Sequence, residues 1–111
     1  MYEYNAEVVR IIDGDTLVLD LDLGFHIRTR ITARLLGVDT AETHGVSHDS
    51  AEYRAGKVQE QFVREWLSEA ERLSVRTNKQ GKYGRWLTDI FNSDGECLND
   101  LLIDEFDVSY E

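Results

Sequence analysis

Apolar and polar residues alternate along the first third of the chain, and the alternation predicts strands before any composition is counted. Val8, Val9, Ile11 and Ile12 run into Asp13-Gly14-Asp15, a turn signal, after which residues 16–21 alternate polar and apolar. This reads as a hairpin. A second turn at Gly24 precedes a third strand in which Ile27, Thr29, Ile31, Ala33 and Leu35 take one face, while Arg28, Arg30, Thr32 and Arg34 take the other, exposed one. Past a polar loop at 40–50 the period becomes helical: Ala51, Ala55, Val58, Phe62, Trp66, Ala70 and Leu73 are spaced by three or four. The helix start has two readings. Asp49 with Glu52 resembles a capping pair, whereas Gly56, costly by about 1 kcal/mol inside a helix, would mark a later beginning. Residues 73–77 and 86–91 read as strands joined by a loop with Gly81 and Gly84. Cys97, Leu98, Leu101, Leu102 and Phe106 form a short second helix, and residues 108–110 an extended stub. Three strands, a helix, two strands and a helix, with short connections, predict a mainly β, α+β fold closed into a small barrel.

The 111 residues amount to one domain, 1–111, with 41% hydrophobic and 31% charged residues. There is no proline and no repeat to announce a linker. The single cysteine, Cys97, rules out an internal disulfide framework and multi-cysteine metal sites, and reads as a small buried apolar residue. No basic-then-apolar leader opens the chain and no long apolar run crosses it, so a cytoplasmic monomer without membrane contact is expected.

Charge adds a partner. The net charge of −10 argues against nucleic acid at first sight. Its distribution reverses that: residues 23–38 and 72–88 contain no acid and hold eight of the 12 bases. If these windows meet, an electropositive face sits on an acidic body. The acid excess and scarcity of lysine fit a protein made for high salt.

Several residues have types suited to phosphate chemistry, each with an ordinary alternative. Asp15 in the first turn and Asp39 after the third strand are hard oxygen ligands for calcium or magnesium, or simple turn residues. Glu42 could act as a base on water. Arg34 and Arg85 could grip phosphate oxygens through planar guanidinium groups. His26, His44 and His48 have no ligand spacing with Cys97 and read as surface residues. No nucleophile elbow and no phosphate-cradling glycine loop is present.

Ile12-Asp13-Gly14-Asp15-Thr16, then the run from Arg34 through Gly37-Val38-Asp39-Thr40-Ala41 to Glu42, then Lys82-Tyr83-Gly84-Arg85 resemble the three signature blocks of the staphylococcal nuclease-like (thermonuclease) family. The match covers nearly the whole chain. The resemblance implies a five-stranded OB-fold barrel with one long and one short helix, and calcium-dependent endonuclease hydrolysis of DNA or RNA phosphodiesters to 3′-phosphate and 5′-hydroxyl ends. It places calcium on the carboxylates of Asp15 and Asp39 and the carbonyl of Thr40. Glu42 becomes the general base or water-orienting group, and Arg34 and Arg85 the phosphate clamps. Tyr83 and Tyr110 become candidates for stacking on bases and Lys79 and Lys82 for phosphate contact, as against ordinary core, surface or loop positions. The chain departs from the family at Ala41, where proline is usual, and at Glu111, where many relatives continue into another helix. A noncatalytic OB-fold module binding nucleic acid or protein is the competing reading.

Overall fold

The computed structural model describes residues 2–41, 43, 45–80 and 84–109, with the side chain of Lys79 left out. Glu42, Lys82, Tyr83, Tyr110 and His44 lie outside the described residues. The elements follow the predicted order: β1 (Tyr2–Asp13), β2 (Thr16–Asp22), β3 (Arg28–Leu35), α1 (Ala51–Glu69), β4 (Leu73–Gln80), β5 (Trp86–Phe91) and α2 (Leu98–Phe106). The strands close into a barrel in the order β1-β2-β3-β5-β4, an OB-type architecture of the α+β class. Closure needs one parallel pair, β3 with β5, which sets Ala33 opposite Trp86 and Leu35 opposite Thr88. The two acid-free windows therefore do meet. Part of their charge is already matched, since Arg28 pairs with Asp20 at 2.8 Å and Arg76 with Glu3 at 3.2 Å. Arg76 also lies 4.8 Å over the Phe91 ring. The Ser74 hydroxyl and Arg76 together hold the Glu3 carboxyl below its usual range.

Inward positions of every strand build the core, in which Leu17, Leu19, Ala33, Val75 and Ile90 are fully buried, joined by Val63 of α1 and Leu98 and Leu102 of α2. β1 starts earlier than its apolar run suggests. Residues from Tyr2 to Ala6 pair with β4 from Thr77 to Leu73, so polar Glu3 and Asn5 alternate with inward Tyr4 and Ala6.

Five expectations are corrected. Ile27 is not on the inward face of β3; it is 55% exposed, because Gly24, Phe25 and His26 all take positive φ in the β2–β3 connection and end the alternation before the strand begins. In β3 only Ile31, Ala33 and Leu35 turn toward the core. The fully buried positions of α1 are Gly56, Gln59, Glu60 and Val63. Of the expected stripe Phe62, Trp66 and Ala70 pack half-buried on the core, whereas Ala51, Ala55 and Val58 stay exposed, because Gln59 finds a partner at Ala41 and Glu60 in basic residues of its own helix. Glu60 is held by Arg64 at 3.1 Å and Lys57 at 3.5 Å. The helix ends at Glu69, and Leu73 belongs to β4 rather than to a continued helix. Its start is settled by Ser50, whose hydroxyl accepts from the Tyr53 N–H at 3.1 Å, so neither Asp49 nor Gly56 marks it. Cys97 is only half-buried; its Sγ lies 3.8 Å from Asn99 Oδ1, and burial pushes its thiol pKa up. Among the described residues no helix is long and apolar enough to cross a membrane.

Candidate active site

The site begins at the β1–β2 turn. Asp15 is buried there, with Oδ1 accepting from the Thr16 hydroxyl at 2.8 Å and Oδ2 accepting from the Thr40 backbone N–H at 3.1 Å. Its own carbonyl accepts from Leu35 N–H at 2.8 Å, which locks the turn against the end of β3. Gly14 is required by close approach. A Cβ added to it would sit 3.0 Å from Thr40 Cγ2 and 3.1 Å from Oγ1, so a side chain would push Thr40 away from Asp15.

Arg34, at the end of β3, was expected on an exposed face with Arg28 and Arg30. Its side chain is instead only 16% exposed, because it folds back on the turn it faces. One nitrogen, Nη2, lies 3.3 Å from Asp39 Oδ1 and 3.6 Å from Asp15 Oδ2, and Nη1 donates to the Val38 carbonyl at 3.2 Å. One guanidinium thus gathers two carboxylates from separate loops. Two anions against one cation leave surplus negative charge at this point. Asp39 is the open side, with its side chain 54% exposed, and its backbone N–H donates to Val108 O at 2.8 Å. The extended segment after α2 therefore runs beside the loop that carries Asp39.

The donor chemistry fits a hard cation such as calcium. Besides the two carboxylates, Thr40 Oγ1 is buried with no hydrogen-bond partner. No group of three acids, histidines or cysteines that could hold a metal gathers among the described residues, so the ligand set they offer is sparse.

Glu42 lies outside the described residues, but its neighbours on both sides are anchored. Ala41 N–H donates to Gln59 Oε1 at 2.7 Å, and Thr43 Oγ1 donates to Asp13 Oδ1 at 2.8 Å. A proline at 41 would have no N–H to donate; alanine keeps one, and α1 supplies its acceptor. Behind the loop stands Asn99, 2% exposed in the first turn of α2. Its Nδ2 donates to Leu36 O and Thr88 O, both at 2.9 Å, and its Oδ1 accepts from Ile90 N–H at 3.2 Å. Asn99 thereby ties β5 to the residues following Arg34, and the Thr88 hydroxyl donates to the Arg34 carbonyl at 3.3 Å. Arg85 immediately precedes β5 and is half-buried. The parallel β3–β5 register carries it to the side of the barrel where β3 ends in Arg34.

Asp15, Arg34, Asp39 and Thr40 are therefore together, with Arg85 on the adjoining strand end. Lys79 is placed at the end of β4, and Lys82, Tyr83 and Tyr110 fall outside the described residues. Sequence reasoning missed Asp13, Thr43, Gln59 and Asn99. For Gln59 a signal was available, since Gly56, Gln59 and Val63 recur at helical spacing along a second stripe.

A closed five-stranded barrel with these motif blocks at its strand ends defines the staphylococcal nuclease-like class of OB-fold proteins. Comparison with known proteins agrees. The chain is 31% identical over 104 residues to a thermonuclease of Staphylococcus hyicus, covering 93% of this chain and 57% of that protein. It is 36% identical over 99 residues to a thermonuclease of Staphylococcus intermedius, covering 88% of this chain and 54% of that protein. Endonuclease YhcR of Bacillus subtilis (strain 168) is 26% identical over 106 residues, 87% of this chain and 8% of that protein. No family model matches the chain. The chain is similar to staphylococcal thermonucleases over about nine-tenths of its own length, and it spans little more than half the length of those proteins.

Proposed function

We propose that the protein is a calcium-dependent nuclease that hydrolyses DNA or RNA phosphodiester bonds, leaving 3′-phosphate and 5′-hydroxyl ends. The observation that carries this reading is the joining of Asp15 and Asp39 on one nitrogen of Arg34, in a chain whose relatives are named nucleases. Asp15, Asp39 and Thr40 would hold the ion. Bound there, calcium would supply Lewis-acid polarisation of a phosphate oxygen and neutralise charge. Arg34 and Arg85 bind the scissile phosphate and stabilise the negative charge that accumulates on its oxygens during attack. Arg34 is partly occupied by carboxylates before substrate arrives, which keeps its guanidinium from swinging away. Glu42 takes the proton of the attacking water or orients it in line with the departing 5′ oxygen. Lys79 and Lys82 contact flanking phosphates, and Tyr83 and Tyr110 stack on bases. With two carboxylates in the ligand set, calcium affinity is weak, at about 10⁻⁴ to 10⁻³ M.

The test is incubation of the purified protein with single-stranded DNA, duplex DNA and RNA, in millimolar calcium or in chelator, beside Glu42→Gln and Arg85→Ala. Cutting is expected only with calcium, and each substitution should reduce its rate by about 10² to 10³. End-group analysis should find 3′-phosphates. Calcium-dependent binding of DNA without cutting in any condition would overturn catalysis and leave the barrel a binding module.

A further inference from the structure

The barrel is not plugged at the end where β1 begins. Tyr2, Tyr4, Leu21, Thr77 and Trp86 line an open groove of about 580 Å³, with Arg30 at its rim. This is the size of a small-ligand site, and barrel mouths commonly hold such sites. Tyr2 is 72% exposed, with its ring centroid 6.4 Å from that of Tyr4 at a tilt of 32°, while Tyr4 and Trp86 are half-buried. The nearby acids are engaged elsewhere. Asp20, directly across the ladder from Arg30, gives its carboxylate to Arg28 at 2.8 Å, and Glu3 gives its own to Arg76 at 3.2 Å. Arg30 has no ion-pair partner among the described residues. The groove shares strands β3 and β5 with the candidate active site. Trp86 follows Arg85 in the chain, and Arg30 lies on the same face of β3 as Arg34, four residues and about 13 Å away along the strand.

We propose that this groove is a subsite for single-stranded nucleic acid, holding unpaired bases against Trp86, Tyr2 and Tyr4 and a backbone phosphate on Arg30, on the strand whose scissile phosphate reaches Arg34 and Arg85. The inference rests on the nuclease reading for the position of the cut. The chemistry selects a single strand, because ring faces can be stacked only by bases that are not already paired and stacked in a duplex. It also compensates for the acidic body: a base held by stacking depends less on net charge than a phosphate held by lysines.

The test uses the full chain in chelator, where no cutting occurs, and a thymidine oligomer of about ten nucleotides, a length within the site sizes of OB folds. Binding is followed by anisotropy of the labelled oligomer and by tryptophan fluorescence. The oligomer should quench the wild type, and the quenching should be lost in Trp86→Phe, which keeps an aromatic ring in the groove and leaves Trp66 as the remaining fluorophore. Trp86→Ala, and Tyr2→Ser and Arg30→Ala at exposed positions where folding is not at stake, should each weaken binding about tenfold. Cleavage of a dinucleotide in calcium should be unchanged in all of them. Oligomer binding that is absent in the wild type, or equal in wild type and variants, overturns the subsite even if the protein cuts. Aromatic-dependent binding by a protein that cuts nothing would uphold the subsite and overturn the nuclease reading instead.

Discussion

The β2–β3 ladder ends at Thr16 and Arg34 on one side and at Asp22 and Arg28 on the other, and the two ends bury opposite things. At the first, charged and polar groups go inside: Asp15, Thr16 and Thr40 are buried, and Arg34 is nearly so. At the second, apolar groups stay outside: Leu23, Phe25 and Ile27 are 40, 95 and 55% exposed. Burying polar groups is costly unless they find partners, so the first end is held by a connected set of hydrogen bonds among the β1–β2 turn, the end of β3 and residues 38–40, with Thr40 Oγ1 the member left unpartnered among them. The second is held by local bonds, Leu23 N–H to Ile27 O and Ile27 N–H to Gly24 O, both 2.9 Å, with Gly24 N–H donating to Asp22 Oδ1 at 2.8 Å and Arg28 paired with Asp20. One end is fixed by the rest of the barrel, the other by its own turn. Substitutions should therefore be costly and coupled to activity at the first end, cheap and independent of it at the second.

The largest expected effect is at Asn99, behind the first end. Asn99→Ala leaves the Ile90 N–H and the Leu36 and Thr88 carbonyls without their side-chain partner in a buried place. It should cost about 3 kcal/mol in urea unfolding. Asn99→Asp retains the acceptor for Ile90 but loses both donated bonds and buries a charge, so it should be no better. A loss below about 1 kcal/mol for Asn99→Ala would mean that the first end is not fixed by this network.

The same contrast explains what could be read from the sequence. Element order was legible because periods of two and 3.6 survive wherever a strand or helix buries one face, as from Leu17 to Leu21 and from Val63 to Ala70. Ile27 was misplaced because alternation in the sequence continues across a turn whose backbone takes positive φ, and Phe25 and His26 are not residue types that announce it. The gathering of Asp15, Arg34, Asp39 and Thr40 followed from motif blocks that fall at strand ends, where pairing of β2 with β3 brings them together. Asn99 was not legible, and Gln59 only as one member of a second helical stripe. Amides usually belong to the surface, and the backbone groups these two satisfy lie 18 and 63 residues away, at Ala41 and Leu36.

Gln59 gives the second prediction, of intermediate size. Gln59→Leu keeps the volume of a buried helix position but removes the acceptor for the Ala41 N–H. Under the nuclease reading it should slow cutting about tenfold, through looser placement of the residue next to Ala41, with calcium affinity unchanged. Gln59→Glu restores an acceptor and should recover most of the rate, which a purely packing role for the side chain would not produce. Hydrogen exchange at the Ala41 amide, measured without substrate, should quicken in Gln59→Leu and not in Gln59→Glu. Equal exchange in the two variants would remove Gln59 from the support of this loop.

The smallest effect belongs to the second end. Phe25 sits at φ 55°, a left-handed conformation that costs a residue with a side chain about 1 to 2 kcal/mol. Glycine adopts that conformation freely but gives up about 0.5 to 1 kcal/mol of chain entropy on folding. The ring is 95% exposed, so its removal forfeits almost no packing. Phe25→Gly should therefore stabilise the protein by about 0.5 kcal/mol in urea unfolding, while Phe25→Ala, which keeps the strain and loses the ring, should leave stability unchanged. Neither should alter cutting or the exchange rate at Ala41. If Phe25→Ala proved destabilising, the ring would have a packing partner and the tip would no longer be the independent end. If both variants changed the Ala41 amide, the ladder would be transmitting strain along its length, and the two ends would have to be treated as one cooperative unit.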